Sequence, residues 1–446
     1  MKPCSGGATI GASLHPALST ALAEPDAAFA AWWAERRSAS QLSVKPVPLG
    51  DMPHWTFTRD GDLVHDSGRF FSVSGMRRYG PRGRFDQPII LQPEIGILGL
   101  LVKEFDGEPN VLVQAKAEPG NINGIQLSPT VQATRSNYTR VHQGSATRHL
   151  EHFAGSRRGR VLADSLQSEH GAWFWGKRNR NMVVEPLGEV AEHPDFHWIP
   201  LRTLRRLLRI DHLVNMDTRS VLGCLPPAGP VFLPDDAPAM REITSWLIDA
   251  KQQCPWHAGL IPLAAVEGWS RTETEIADDE GRTFRIIGAR VKARTREVRH
   301  WSQPLLAPCR RGLAVFLCRA VDGVPHLLVR ARAEPGLPDQ VELGPTVQWS
   351  DDSGPSALEG AGPFDGEALT DDPEHVRFDA ELSEEGGRFH RALTRYRIVE
   401  VDSDFPGQVP EGFRWLAMRQ LQVLVQQGHK VNVQARSLLA CLADLF

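Results

Sequence analysis

The chain repeats itself, and that repetition constrains its fold more than any other feature. Gly96 to Gln132 aligns with Gly312 to Gln348 without a gap at an offset of 216, and 17 of the 37 positions are identical. The shared strings are Asp106-Gly107-x-Pro109, Ala117-Glu118-Pro119-Gly120 and Pro129-Thr130-Val131-Gln132. Their partners are Asp322-Gly323-x-Pro325, Ala333-Glu334-Pro335-Gly336 and Pro345-Thr346-Val347-Gln348. The match continues at offset 213 (Gly68-Arg69 and Phe71), at 215 (Phe174, Arg180 and Glu185) and at 217 (His212, Asn215, Arg219-Ser220 and Cys224). A period this long is a duplicated folding unit, not a solenoid element of roughly 20–50 residues. Two copies of one scaffold act as an internal control. Agreement between them points to the fold, and divergence points to chemistry held by one copy.

The period divides the 446 residues into two units, 1–230 and 231–446, each large enough for its own core. A linker is expected from Pro226-Pro227-Ala228-Gly229-Pro230 through Asp235-Asp236. A net charge of −4 argues against a dedicated nucleic-acid binder. No apolar run approaches the length of a membrane span, and residues 1–25 lack the apolar stretch of a signal peptide. A cytoplasmic location is therefore expected. Six cysteines occur with no Cys-x-x-Cys pair and no zinc-type Cys/His spacing, so reduced thiols and no metal are expected.

Helices are expected over residues 20–38 and 238–252, and near the end of each copy around Leu201 to Leu208, Thr218 to Leu225, Leu416 to Gln427 and Ala435 to Leu445. Apolar runs flank Asp106-Gly107 and again Asp322-Gly323, the signature of hairpins. Asn215 and Asn432 fall between paired helices, where a capping role is expected. The class predicted is α+β, with a mainly antiparallel sheet in each copy.

After the shared Pro-Thr-Val-Gln the copies part. Residues 135–181 carry nine Lys/Arg and three acids, whereas residues 349–396 carry twelve acids and four Arg. The first copy also holds a long set of neutral donors and acceptors: Asn121, Asn123, Gln126, Ser128, Thr130, Gln132, Thr134, Ser136, Asn137 and Gln167, then Asn179 and Asn181. At matching positions the second copy has Leu337 and Asp339 for the first two, and Thr394 and Tyr396 for the last two. A cationic, donor-rich surface suits a phosphorylated polyol, because Arg pairs bidentately with phosphate.

The strings Leu91-Gln92-Pro93-Glu94-Ile95-Gly96, Gln114 to Asn121, Gln126 to Tyr138, Leu166-Gln167-Ser168-Glu169 and Lys177-Arg178-Asn179-Arg180-Asn181 resemble the NDP-hexose 2,3-dehydratases of deoxysugar biosynthesis. That resemblance spans most of the chain. It implies a tandem duplication of two Nudix-hydrolase-like domains, usually in a homodimer. It also implies a cytoplasmic lyase of antibiotic deoxysugar pathways, acting on dTDP-4-keto-6-deoxyglucose with no cofactor and feeding a 3-ketoreductase. The reaction implied removes the C3 proton and the C2 hydroxyl, giving a 3,4-diketo-2,6-dideoxy sugar. Such a step needs a base at C3–H, an acid for the departing hydroxyl, and donors for the enolate at O4.

Four acid/base candidates follow: Tyr138, Glu118, Glu169 and His170, with Tyr138 first because it sits in the polar string. Lys177, Arg178 and Arg180 are assigned to the diphosphate or the enolate, Arg135 joins the substrate-binding set, and Trp173 and Trp175 are candidates for stacking. In the second copy the counterparts are Glu334, Gln348, Trp349, Arg395 and Tyr396. Two other functions compete. Gly366, Asp372 and Glu381 to Gly387 imitate a Nudix box, which would make the chain a Mg²⁺-dependent pyrophosphohydrolase. A non-catalytic nucleotide-sugar binding protein is the third reading.

Overall fold

The computed structural model describes residues 27–81, 83–139, 145–155, 159–226, 236–294, 296, 298–349, 362–402 and 404–442. Nearly all of the expected linker lies outside these residues, as do residues 20–26 of the first expected helix and 351–361 of the acidic stretch.

The two aligned segments build sheets with one strand order. In the first copy Gly159–Ser168, Arg178–Pro186, Gly96–Phe105, Glu108–Ala117 and Phe196–Pro200 lie side by side, with Ile125–Ser128 and Val131–Ala133 added beyond them. In the second copy Val376–Ser383, Leu393–Glu400, Gly312–Val321, Val324–Ala333 and Phe413–Ala417 take those places, with Val341–Gly344 and Val347–Trp349. Both Asp-Gly signals form tight hairpins. Asp106 and Gly107 have φ of 51° and 80°, Asp322 and Gly323 have 50° and 75°, and positive φ at both positions is the primed turn that matches strand twist. Most ladders are antiparallel, as expected. Each sheet also has a central parallel pair, Arg178–Pro186 on Gly96–Phe105 and Leu393–Glu400 on Gly312–Val321, which local patterning did not signal.

The copies are interlocked. Strand Leu42–Val47 pairs with Phe284–Ala293 of the second copy, and His257–Ile261 pairs with Ser72–Gly80 of the first. The shared Ala-Glu-Pro-Gly turns also cross over. Gly120 N donates to Gly386 O at 2.7 Å, and Gly336 N donates to Gly171 O at 2.7 Å. A Cβ would stand 1.6 Å from the Phe389 carbonyl oxygen at Gly120, and 1.7 Å from that of Phe174 at Gly336. Identity at these glycines therefore records close approach of two backbones.

Helices Met216–Leu222 and Val433–Leu442 pack on one another between the sheets. Asn215 and Asn432 cap them, accepting from Thr218 N at 2.9 Å and Ala435 N at 3.0 Å. Arg219 and Arg436 are wholly buried, and each donates to a carbonyl of the other copy, Ser383 O at 2.9 Å and Ser168 O at 2.6 Å. One apolar cluster, including Leu100, Val113, Leu207, Phe316, Val329 and Leu424, draws on both copies. The two units therefore share a core, an arrangement that a reading of two separate cores did not foresee.

Candidate active site

A cleft of about 650 Å³ opens where the central parallel strands of the first sheet begin. Gly96 and Asn179 start those strands, while Lys116 and Ala133 end their antiparallel neighbours, so all four lie at one end of the sheet. Gly96 N donates to Asn179 Oδ1 at 3.1 Å, and a Cβ at Gly96 would stand 2.6 Å from that oxygen. Gln132 is fixed on both sides: its Nε2 donates to Glu118 Oε1 at 2.9 Å, and its Oε1 accepts from Asn215 Nδ2 at 3.1 Å. Lys116 Nζ donates to Gln132 O, and Lys177 Nζ to Glu94 O, both at 2.8 Å. Asp217 enters from the first turn of the helix that Asn215 caps.

The opposite wall belongs to the second copy. It contributes Glu385, Gly387 and Arg388 from the turn after Val376–Ser383, together with Arg290, Lys292, Arg296, His300, Trp301 and Gln303. Arg388 donates to Gln92 Oε1 at 3.1 Å and lies 4.2 Å over the Phe71 ring. Arg296 donates to Ala117 O at 2.8 Å and stands 3.7 Å from Glu118 Oε1. Aromatic rings also line the cleft: Trp55, Phe70, Phe71 and Trp301.

Electrostatics set two carboxyls apart. Burial raises Asp217 well above the usual carboxylate range, and the negative charges of Glu169, Glu385 and Glu118 add to it against the pull of Lys116. Burial also pushes Glu385 up to about 7, with Glu118 and Glu169 adding and Arg388 opposing. Lys177 is lowered by burial, partly offset by Glu169 and Glu385. One cleft therefore holds a carboxyl poised near neutrality, a carboxyl raised well above its usual range, and basic side chains on both walls. Groups with pKa values pushed apart in one cleft are the usual mark of acid/base work.

Of the residues expected at the site, Glu118, Gln132, Thr134, Asn137, Lys177 and Asn179 line this cleft. Glu169 lies just behind it, with Oε1 accepting from Asn179 Nδ2 at 2.7 Å. Others are structural. Thr130 Oγ1 bonds Leu112 O and Leu101 N, Ser136 holds Glu94, and Ser128 donates to Gln132. Asn123, Gln126 and Gln167 bond His212 O, Ser383 and Val425 O, tying the copies and their loops together. Asn121 leans on Gly386, and Asn181 donates to Ser220 Oγ.

The other expected site residues lie away from this cleft. Alternation along the strands puts Leu98, Gln132 and Asn179 on one face, and Ile97, Leu101 and Met182 on the other. The Tyr138 ring packs with the second group, away from the cleft. Parity likewise turns Arg178 and Arg180 outward. Arg178 is exposed, and Arg180 forks onto Asp164 at 2.7 and 2.5 Å. Arg135 is exposed as well. His170 is buried between the copies, its Nε2 3.0 Å from Glu384 Oε2, and Trp173 stacks on it. Trp175 does not line the cleft. None of the second-copy candidates lines it either. Arg332 and Gln348 hold Glu334, Trp349 is in the core, Arg395 forks onto Asp379, and buried Tyr396 donates to Glu384 Oε1 at 2.9 Å.

The apparent Nudix box does not form a helix. Val376–Ser383 is a strand, and Glu384 and Glu385 follow it in a turn that faces the first copy.

The model of a family described as NDP-hexose 2,3-dehydratase matches residues 26–225 and 240–442. The chain belongs to this family. Three relatives, each named a dTDP-4-dehydro-6-deoxy-alpha-D-glucopyranose 2,3-dehydratase, match nearly end to end. The one from Streptomyces violaceoruber is 48% identical over 94% of this chain and 97% of its own length. Those from Saccharopolyspora spinosa and Amycolatopsis orientalis are 44% and 42% identical, over 95% and 92% of this chain and 92% and 89% of their own.

Sequence reasoning missed five residues that line this cleft: Asp217, Glu385, Arg388, Arg296 and Trp301. The repeat held one signal for them. At offset 215, His170 pairs with Glu385 and Glu169 with Glu384, and at 217 Asp217 pairs with Gln434. Two acids thus stand in one site where the twin has a histidine and an amide.

Proposed function

We propose that the chain is a dTDP-4-keto-6-deoxyglucose 2,3-dehydratase whose chemistry is shared between the two copies. The observation that carries the assignment of roles is the pairing of Glu385, near neutral in pKa, with protonated Asp217 in one cleft. Glu385 takes the C3 proton, which the neighbouring 4-ketone acidifies. The enolate at O4 is met by Lys177, whose ammonium keeps N–H donors beyond the one given to Glu94. Asp217 gives its proton to the C2 hydroxyl, the C2–O bond breaks and water leaves. The C2=C3 enol then tautomerises to the 3,4-diketone. Glu118, fixed by Gln132 and facing Arg296, adds to the field that raises both carboxyls.

The diphosphate is assigned to Arg290, Lys292 and Arg296, and thymine to the aromatic lining at Trp301 and Phe70. The two similar sheets are read as Nudix-like repeats. In the cell the reading places the enzyme in the cytoplasm, as a homodimer beside a 3-ketoreductase that consumes the reactive product.

The test is direct. Incubation with dTDP-4-keto-6-deoxyglucose, a 3-ketoreductase and its reduced nicotinamide cofactor is expected to give a sugar nucleotide lighter by one oxygen, water having been lost and two hydrogens gained. Release of thymidine monophosphate instead would show pyrophosphate cleavage, and unchanged substrate would show binding alone.

A further inference from the structure

We infer that His149, Glu151 and His152 form a divalent-metal site on the face of the first sheet that Tyr138 shares, away from the chemistry. The spacing His-x-Glu-His matched no zinc signature, and the three came together only through local geometry. His149 has φ of 58°, in the left-handed region that non-glycine residues seldom enter. Residues Leu150–His152 then make a single tight turn, closed by His152 N donating to His149 O at 3.2 Å. The result brings one ligand atom from each side chain to within 4.8 Å of the others.

Two further observations point to a ligand. His149 is 5% exposed, its ring lies edge-on to Phe196 at 4.6 Å, and its Nε2 has no hydrogen-bond partner among the described residues. A buried imidazole nitrogen left unpaired is costly, and such atoms call for an explanation. Glu151, by contrast, is half exposed, and its Oε1 stands 3.9 Å from His152 Nε2. It can swing inward to supply charge.

Two imidazoles and one carboxylate favour Zn²⁺ over Mg²⁺ or Ca²⁺, with a fourth position left for water. Zinc–ligand bonds of about 2.0–2.2 Å put ligand atoms about 3.3 Å apart in a tetrahedron, so the side chains need close only by roughly 1–1.5 Å. The metal would fasten residues 145–155, the segment whose Ser145 reaches the cleft.

The experiment uses the full chain, stripped with a chelator, dialysed and loaded with Zn²⁺, then gel-filtered and assayed for metal. One zinc per chain is expected, with visible d–d absorption when Co²⁺ replaces it. His149→Ala is expected to abolish retention. Glu151→Gln, at a half-exposed position that should not disturb folding, is expected to weaken Zn²⁺ binding about tenfold or more while dehydration proceeds at the wild-type rate. Failure of the wild-type chain to retain zinc, or equal affinity in the Glu151 variant, would overturn the site.

Discussion

His170 and Glu384 meet across the two copies, Nε2 to Oε2 at 3.0 Å, and both are buried. Exchanging the copies puts Glu385 in place of His170 and Glu169 in place of Glu384. An ion pair on one side thus corresponds to two carboxyls on the other. The first arrangement is self-satisfied and holds the halves together. The second sets like charges together, and burial with the charges of Glu118 and Glu169 raises Glu385 toward neutrality.

His170→Ala is therefore expected to cost stability, about 3–5 kcal/mol, because it leaves the Glu384 charge buried and unpaired. The pair also sets a pH window. Burial opposes both charges, but the partner outweighs it, holding Glu384 at about 2 and His170 above its usual 6.5. The share from Glu384 is fully present above 4.5 and is lost as pH falls toward 2. The share from His170 is present below 6.5 and is lost as pH rises through its folded value. Denaturant titration at several pH values, on wild type and variant, checks both limbs. Turnover per folded molecule is expected to change little.

Tyr138→Phe is expected to leave turnover within about threefold, since the ring packs behind the sheet. Glu118→Gln, inside the cleft, is expected to lower kcat by about 10²-fold, the scale of acid/base disruption. Steady-state assays of the pair separate the two positions. A large loss at Tyr138 alone would return the phenol to the mechanism.

The pH dependence of kcat/KM should be bell-shaped. It rises through about 7 as Glu385 loses its proton and becomes a base, then falls at higher pH as Asp217 loses the proton it must donate. The two limbs belong to the coupled cluster and not to isolated groups. Asp217→Asn is expected to remove the alkaline limb and cut water loss by about 10²-fold, while deuterium placed at C3 still exchanges with solvent. Loss of both exchange and elimination would mean that Asp217 serves the base instead.

The parts of this molecule that are local in sequence were legible in it. The Asp-Gly hairpins, the Asn caps and the helices at the end of each copy were read from turn and capping chemistry, and the structure has them. Part of the candidate cleft was legible too: Gln132 and Asn179 came from the donor-rich strings, Glu118 from the acid/base candidates and Lys177 from the basic stretch. Strand parity separated Asn179 from Arg178 and Arg180, but fixing which face was the cleft required the sheet. Glu385, Arg388 and Arg296 stand more than 160 residues from Glu118 in sequence, and no local pattern joins them. Their acids and arginines looked like a loop and a false Nudix box until the copies interlocked.

The central claim is that the second copy supplies the base. Release of deuterium from C3 of the labelled substrate, measured in single turnovers of wild type and Glu385→Gln, tests it most directly. A drop of about 10²-fold or more in release, with thymidine diphosphate binding unchanged, is the predicted result. Release within about tenfold of wild type would contradict it and return the search to the first copy alone.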